Sequence, residues 1–112
     1  MTTWSAKAYS DGTLHLAGEI DYSVAPQVRR YLHDYAGSSA NTLLLNLQQV
    51  EYIDSTGLAI LLELRRILLS QERSISIVKA SEGVARLFTL TQVAALFGME
   101  KKTGDQEGTN AS

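Results

Sequence analysis

Residues Leu43 to Leu69 constrain this chain more than any other stretch. Leu43-Leu44-Leu45-Asn46-Leu47 is apolar nearly throughout, which predicts a central strand covered on both faces, as in sheets flanked by helices. Gln48 to Ile53 reads as a short approach, and Asp54-Ser55-Thr56-Gly57 as a polar turn. From Gly57 the leucines and isoleucines recur at helical spacing. At about 100° per residue, Gly57, Ile60, Leu61, Leu64, Ile67 and Leu68 form one stripe, sufficient to seat a helix on a core. Leu58, Leu62 and Leu69 fall on another side, beside Arg65 and Arg66, and Ser55 projects onto that same side. One apolar stripe is enough for a surface helix. The second is either a docking surface headed by Ser55 or a face covered by another helix of the same domain, and the sequence leaves both open.

The flanking segments read more simply. Trp4 to Tyr9 and Thr13 to Gly18 predict a hairpin across Ser10-Asp11-Gly12, with Leu14 and Leu16 facing inward. Gly18 to Ser23 is a loop carrying Glu19 and Asp21. A helix is expected from about Val24, with Ser23 as its N-cap and Pro26 in the first turn. Val24, Val28, Tyr31, Leu32 and Tyr35 lie on one face of it, and Gly37-Ser38-Ser39 ends it. Ser74 to Val78 alternates as a strand, so the organising helix joins two strands that should run parallel. Ser81 caps a further helix with Val84, Leu87 and Phe88 inward. Thr91 to Gly98 predicts a last short helix docking Val93, Leu96 and Phe97. The fold class is therefore α/β: one domain over residues 1–100, a small mixed β-sheet with helices largely on one side. Residues 101–112 have no apolar anchor and read as a flexible tail.

Bulk properties narrow the function classes. With 112 residues and 45% apolar content the chain suits a single globular core. A net charge of -2 supplies no basic field for nucleic acid or an anionic membrane. The Cys count of 0 excludes disulfides and thiolate metal sites and fits a reducing compartment. No secretory h-region is visible near Met1, and Leu58 to Leu69, broken by Glu63, Arg65 and Arg66, is too short to span a bilayer. A cytoplasmic, monomeric domain without a membrane span is expected.

Ser55 follows a strand and opens a helix, where free backbone N–H groups and the helix dipole favour an anion. A phosphate there would add nearly two negative charges beside Asp54 and near Glu51, which a helix start tolerates and a docked partner does not. The plainer reading makes Asp54 or Ser55 a helix cap and Gly57 a turn residue. Four residues are too few to choose between these.

The wider pattern is more specific. Asn46-Leu47, Val50 and Tyr52 to Leu58 resemble the signature of STAS domains, specifically the bacterial anti-sigma factor antagonists. Leu14 to Asp21 is similar to that family's strand followed by Gly-Glu-(Leu/Ile)-Asp. Val78 to Ser81 with Val84 and Arg86-Leu87-Phe88 is similar to its last strand and following helix. The resemblance runs in register over about residues 4–98. It implies a non-enzymatic switch. The phosphorylated serine would be Ser55. The unphosphorylated protein would bind an anti-sigma factor serine kinase and so free a sigma factor. A metal-dependent serine phosphatase would reset it. The implied partner-binding residues are Glu19, Asp21, Ser23, Asp54, Ser55, Thr56, Gly57, Leu58 and Leu62. Thr56, where serine is also common, is a mild departure.

Three alternatives were weighed against this. A STAS subunit that binds the ATPase of a lipid-transport ABC system, or joins a stress-signalling assembly, keeps the fold and changes the partner. A hydrolase using Ser55 with His15 or His33 and Asp54 lacks the Gly-x-Ser-x-Gly elbow. Glu19, Asp21, Glu51 and Asp54 read as a solvated acidic rim, so no metal ligands are assigned. No Gly-rich phosphate loop suggests a nucleotide cofactor.

Overall fold

The computed structural model describes residues 3–38 and 41–99. Ser39, expected at the end of the first helix, and the tail from Lys101 lie outside them. The described chain runs β1 (Trp4–Ala8), β2 (Thr13–Ile20), α1 (Ala25–Gly37), β3 (Thr42–Ile53), α2 (Ser55–Ser70), β4 (Ser74–Ala80) and α3 (Glu82–Leu90), followed by a 3₁₀ turn at Ala94–Phe97. The four strands form one sheet in the order β1-β2-β3-β4. β1 and β2 are antiparallel, as a hairpin across Asp11-Gly12 requires, whereas β2, β3 and β4 are parallel. This is the mixed sheet expected.

β3 differs from expectation in two ways. It is one strand of 12 residues, taking in the segment read as an approach. It is also not covered on both faces: Leu43, Leu45 and Leu47 are buried, but Leu44 and Asn46 between them are only half-buried. Burial then continues at Val50 and Ile53, a spacing of three that a regular strand cannot keep on one face. Register shifts against β2 resolve this, one between His15 and Ala17 and one between Gly18 and Glu19. Each bulge adds a residue to β3 and returns the next apolar side chain to the core. At the first, the Asn46 side chain accepts a hydrogen bond from the Gln48 amide at 2.9 Å.

Both α1 and α2 pack on the buried face. Val28 and Leu32 of α1, Gly57 and Leu61 of α2, and Leu16, Ile20, Leu47 and Ile53 of the sheet meet along one internal seam. Trp4 ties β1 to α1 through an edge-on contact with Tyr31, centroids 5.9 Å apart, and a 3.3 Å hydrogen bond to Gln27. Ser81 caps α3 as expected, accepting from the Val84 amide, and its hydroxyl also donates to the Val50 carbonyl at 2.8 Å. Phe88 and Phe97, both fully buried, meet edge to face. Leu96, expected to dock, is 40% exposed: in a 3₁₀ turn neighbouring residues point in different directions, so Phe97 and Leu96 cannot both enter the core.

Candidate functional site

Ser55 is the first residue of α2, and Asp54 before it is the cap. The Asp54 backbone is extended, and its Oδ1 accepts the Gly57 amide at 3.0 Å. Its Oδ2 accepts the Tyr22 amide at 3.1 Å, and its own amide donates to the Ile20 carbonyl at 3.3 Å. Asp54 thus both starts α2 and clamps the β2–α1 loop to the end of β3.

The turn divides sharply into buried and exposed residues. Gly57 is buried, and a Cβ there would meet Ile53 Cγ1 at 2.7 Å and the Ile20 carbonyl oxygen at 2.8 Å. Only a glycine lets the first turn of α2 sit this close to the strand ends. Ser55 and Thr56 are exposed. The Ser55 hydroxyl has no hydrogen-bond partner among the described residues. The Gly57 and Leu58 amides are taken by the Asp54 carboxylate and carbonyl, whereas those of Ser55 and Thr56 are unpaired among the described residues. A serine oxygen and two free amides therefore face solvent at the positive end of a 16-residue helix.

Leu58 departs from expectation. It is 6% exposed and belongs to the core, so it presents no side chain to a partner. Seven residues on, close to two turns, Arg65 lies on the same side of α2 and donates to the Leu96 carbonyl at 3.0 Å. For Leu58, burial in the domain's own core settles the alternative left open by the sequence. Leu69 is exposed, and Leu62 is half-buried and faces α1. The second stripe is therefore three separate environments, not one strip.

Around Ser55 the sheet end carries Glu19, opposite Tyr52 in the β2–β3 register, together with Asp21 and Glu51. Asp21 accepts from both the Ser23 hydroxyl, at 2.6 Å, and the Ser23 amide, at 3.0 Å. That hydroxyl bond, more than any other influence, holds the Asp21 carboxyl below its ordinary range. Ser23 is accordingly not the cap of α1. α1 begins at Ala25, so Val24 occupies that position, with no side-chain hydrogen bond, while the Ser23 hydroxyl is turned back to Asp21. Two residues the sequence reading passed over flank the site: Tyr22 is 74% exposed and Tyr52 54%. Their signal was present, Tyr22 directly after Asp21 and Tyr52 directly after Glu51, but its exposure depends on the strand ends meeting. No three His, Asp or Glu residues among those described are gathered closely enough to hold a metal ion. No described helix is long and apolar enough to cross a membrane.

Comparison with known proteins places this geometry. The model of the STAS domain family matches residues 5–106, and the chain belongs to that family. It is 30% identical over 98 residues, 88% of this chain and 86% of the relative, to a protein of Listeria monocytogenes named anti-sigma-B factor antagonist. The fold matches an anti-sigma factor antagonist from Mycobacterium paratuberculosis, TM-score 0.71 at 23% identity over 91% of this chain and 89% of that one. It also matches the unphosphorylated form of the anti-sigma factor antagonist SpoIIAA, TM-score 0.66 at 17% identity over 97% and 88%. The phosphorylated form of the Bacillus SpoIIAA gives 0.60 at 16% identity over 97% and 91%.

Proposed function

We propose that this chain is an anti-sigma factor antagonist whose partner binding is switched at Ser55. One observation carries the reading: the Ser55 hydroxyl is exposed and unbonded at a helix start whose first two amides are free among the described residues. A kinase reaches such a hydroxyl without unfolding anything. The phosphoryl group it leaves finds amide donors and a favourable dipole, so the helix keeps its form. A protein docked over the site meets the new charge beside Asp54, Glu19 and Glu51 and must desolvate it.

In this scheme the unphosphorylated chain binds an anti-sigma factor that is itself an ATP-dependent serine kinase, and a sigma factor is freed. Phosphorylation of Ser55 ends the complex, and a metal-dependent serine phosphatase restores it. The chain performs no chemistry of its own. The partner's footprint takes in the exposed members of the rim, Glu19, Ser23, Ser55 and Thr56, with Tyr22 and Tyr52 as aromatic anchors of the kind that dominate interfaces. Asp54 and Gly57 act from beneath by fixing the turn.

The test uses the anti-sigma factor kinase of the same genome. Ser55→Ala should bind it and stay at its unmodified mass after incubation with kinase and ATP. Ser55→Asp should bind at least tenfold more weakly while its melting temperature moves little. Equal binding by Ser55→Asp and wild type, or phosphate found elsewhere in Ser55→Ala, overturns the reading.

A further inference from the structure

Between α1 and α2 lies an open furrow of about 830 Å³. Its floor is largely apolar and shallow, made by Ala25, Pro26, Ala59, Ile60 and Leu62, with Thr56 also lining it. Its rim is basic: Arg29 and Arg30 on α1 and Arg66 on α2 stand against one carboxylate, Glu63. That carboxylate is already committed, since Arg29 holds it with two hydrogen bonds of 2.8 and 3.1 Å. Arg30 and Arg66 are exposed and make no hydrogen bond or ion pair among the described residues. Arg65, next in sequence, is instead used up by the Leu96 carbonyl. Two exposed guanidinium groups without a hydrogen bond or ion pair among the described residues thus overlook an apolar trough, although Arg66 stands near enough to Glu63 to help lower its pKa.

We infer that this furrow is a docking site for an amphipathic helix of a partner protein, with Asp or Glu flanking its apolar stripe. A trough between two helices receives a third along its length, apolar stripe down. Carboxylates at the edges of that stripe meet Arg30 and Arg66, whose planar forks suit them better than an ammonium would. A basic partner or a bare apolar helix leaves both arginines uncompensated, so the rim selects as well as attracts. The furrow adjoins the strand-end rim, since Thr56 lines it too, but its charged groups are arginines and it needs no phosphate.

The test is fluorescence anisotropy of the full chain with a labelled helical peptide of about 18 residues, roughly five turns, with leucines at i, i+3, i+4 and i+7 and glutamates beside them. Controls are a scrambled peptide of equal composition and one with lysine for glutamate. The expected result is saturable binding of the acidic helix only, weakened by salt and at least about tenfold by Arg30→Glu with Arg66→Glu. Ala59→Trp, which fills the trough without changing charge, should weaken it similarly, and Lys7→Glu on β1 should not. Circular dichroism verifies that each variant folds. Absent binding, binding shared with the scrambled peptide, or a loss under fivefold in the arginine variant overturns the inference. So does self-association, or binding to anionic vesicles in place of the peptide, that the same substitutions abolish.

Discussion

The strand-end rim and the interhelical furrow share α2 but are held together by opposite means. The rim is fixed by short hydrogen bonds: Asp54 to the Gly57 and Tyr22 amides, and Asp21 to Ser23. Its carboxylates are anchored, and its free groups are a hydroxyl and two amides. The furrow is fixed by apolar contact beneath and one ion pair across, and its free groups are guanidinium ions. The rim's hydrogen bonds already fix its geometry, so a charge added at Ser55 is expected to leave it in place. The furrow instead recruits charge, because Arg30 and Arg66, unlike Arg29, make no ion pair among the described residues.

Substitutions that break one region and spare the other sharpen this contrast. The largest effect is expected from Gly57→Ala. Alanine ordinarily favours a helix by about 1 kcal/mol over glycine. Here its Cβ collides with Ile53 and the Ile20 carbonyl, so a loss of about 1–3 kcal/mol is expected in chemical denaturation. A stabilised variant would show that α2 can lift off the strand ends. Asp54→Ala comes next, costing about 1–2 kcal/mol through the lost cap. Hydrogen exchange at the Tyr22 amide should rise in that variant while the Arg29–Glu63 side is unchanged. If exchange rises equally on both sides, the two regions are not independent.

Leu62→Glu should cost less stability than either, since the side chain is half-buried at the furrow and not in the core. It should abolish binding of the acidic helical peptide, because it adds a carboxylate beside the apolar stripe. Loss of the fold would place Leu62 in the core instead. The smallest effect belongs to the Arg29–Glu63 pair. Arg29 lowers the Glu63 pKa from 4.5, so the pair's contribution is fully present above that value and fades as pH falls through the lowered one. Thermal melts of wild type and Glu63→Gln should therefore differ slightly at neutral pH and converge in acid. A gap that widens in acid would reverse the sign.

Much of this was legible before any coordinates. Strand β2 alternates and α2 repeats at helical spacing, and both periods are local properties of the chain. Ser81 capped its helix because its hydroxyl accepts the Val84 amide three residues on, a contact within reach of local spacing. Ser23 failed as a cap because α1 begins at Ala25, one residue later than expected, which leaves Val24 at the cap and the Ser23 hydroxyl on Asp21, and loop geometry decides where the helix begins. The burial of Leu58 was equally out of reach. It depends on how the rest of the core closes around the first turn of α2.

By itself the sequence determined the order of elements, the mixed sheet, and the position of Ser55 where a helix begins after a strand. Backbone periodicity and capping chemistry act over a few residues, so they are written locally. The tertiary structure decided what no local rule reaches: the two bulges that keep Val50 and Ile53 in the core, the second duty of Asp54 at the Tyr22 amide, and the division of one leucine stripe among core, furrow and solvent. Each of these is set by which distant element packs alongside. Burial is a property of pairs of elements, and no single stretch of chain carries it alone.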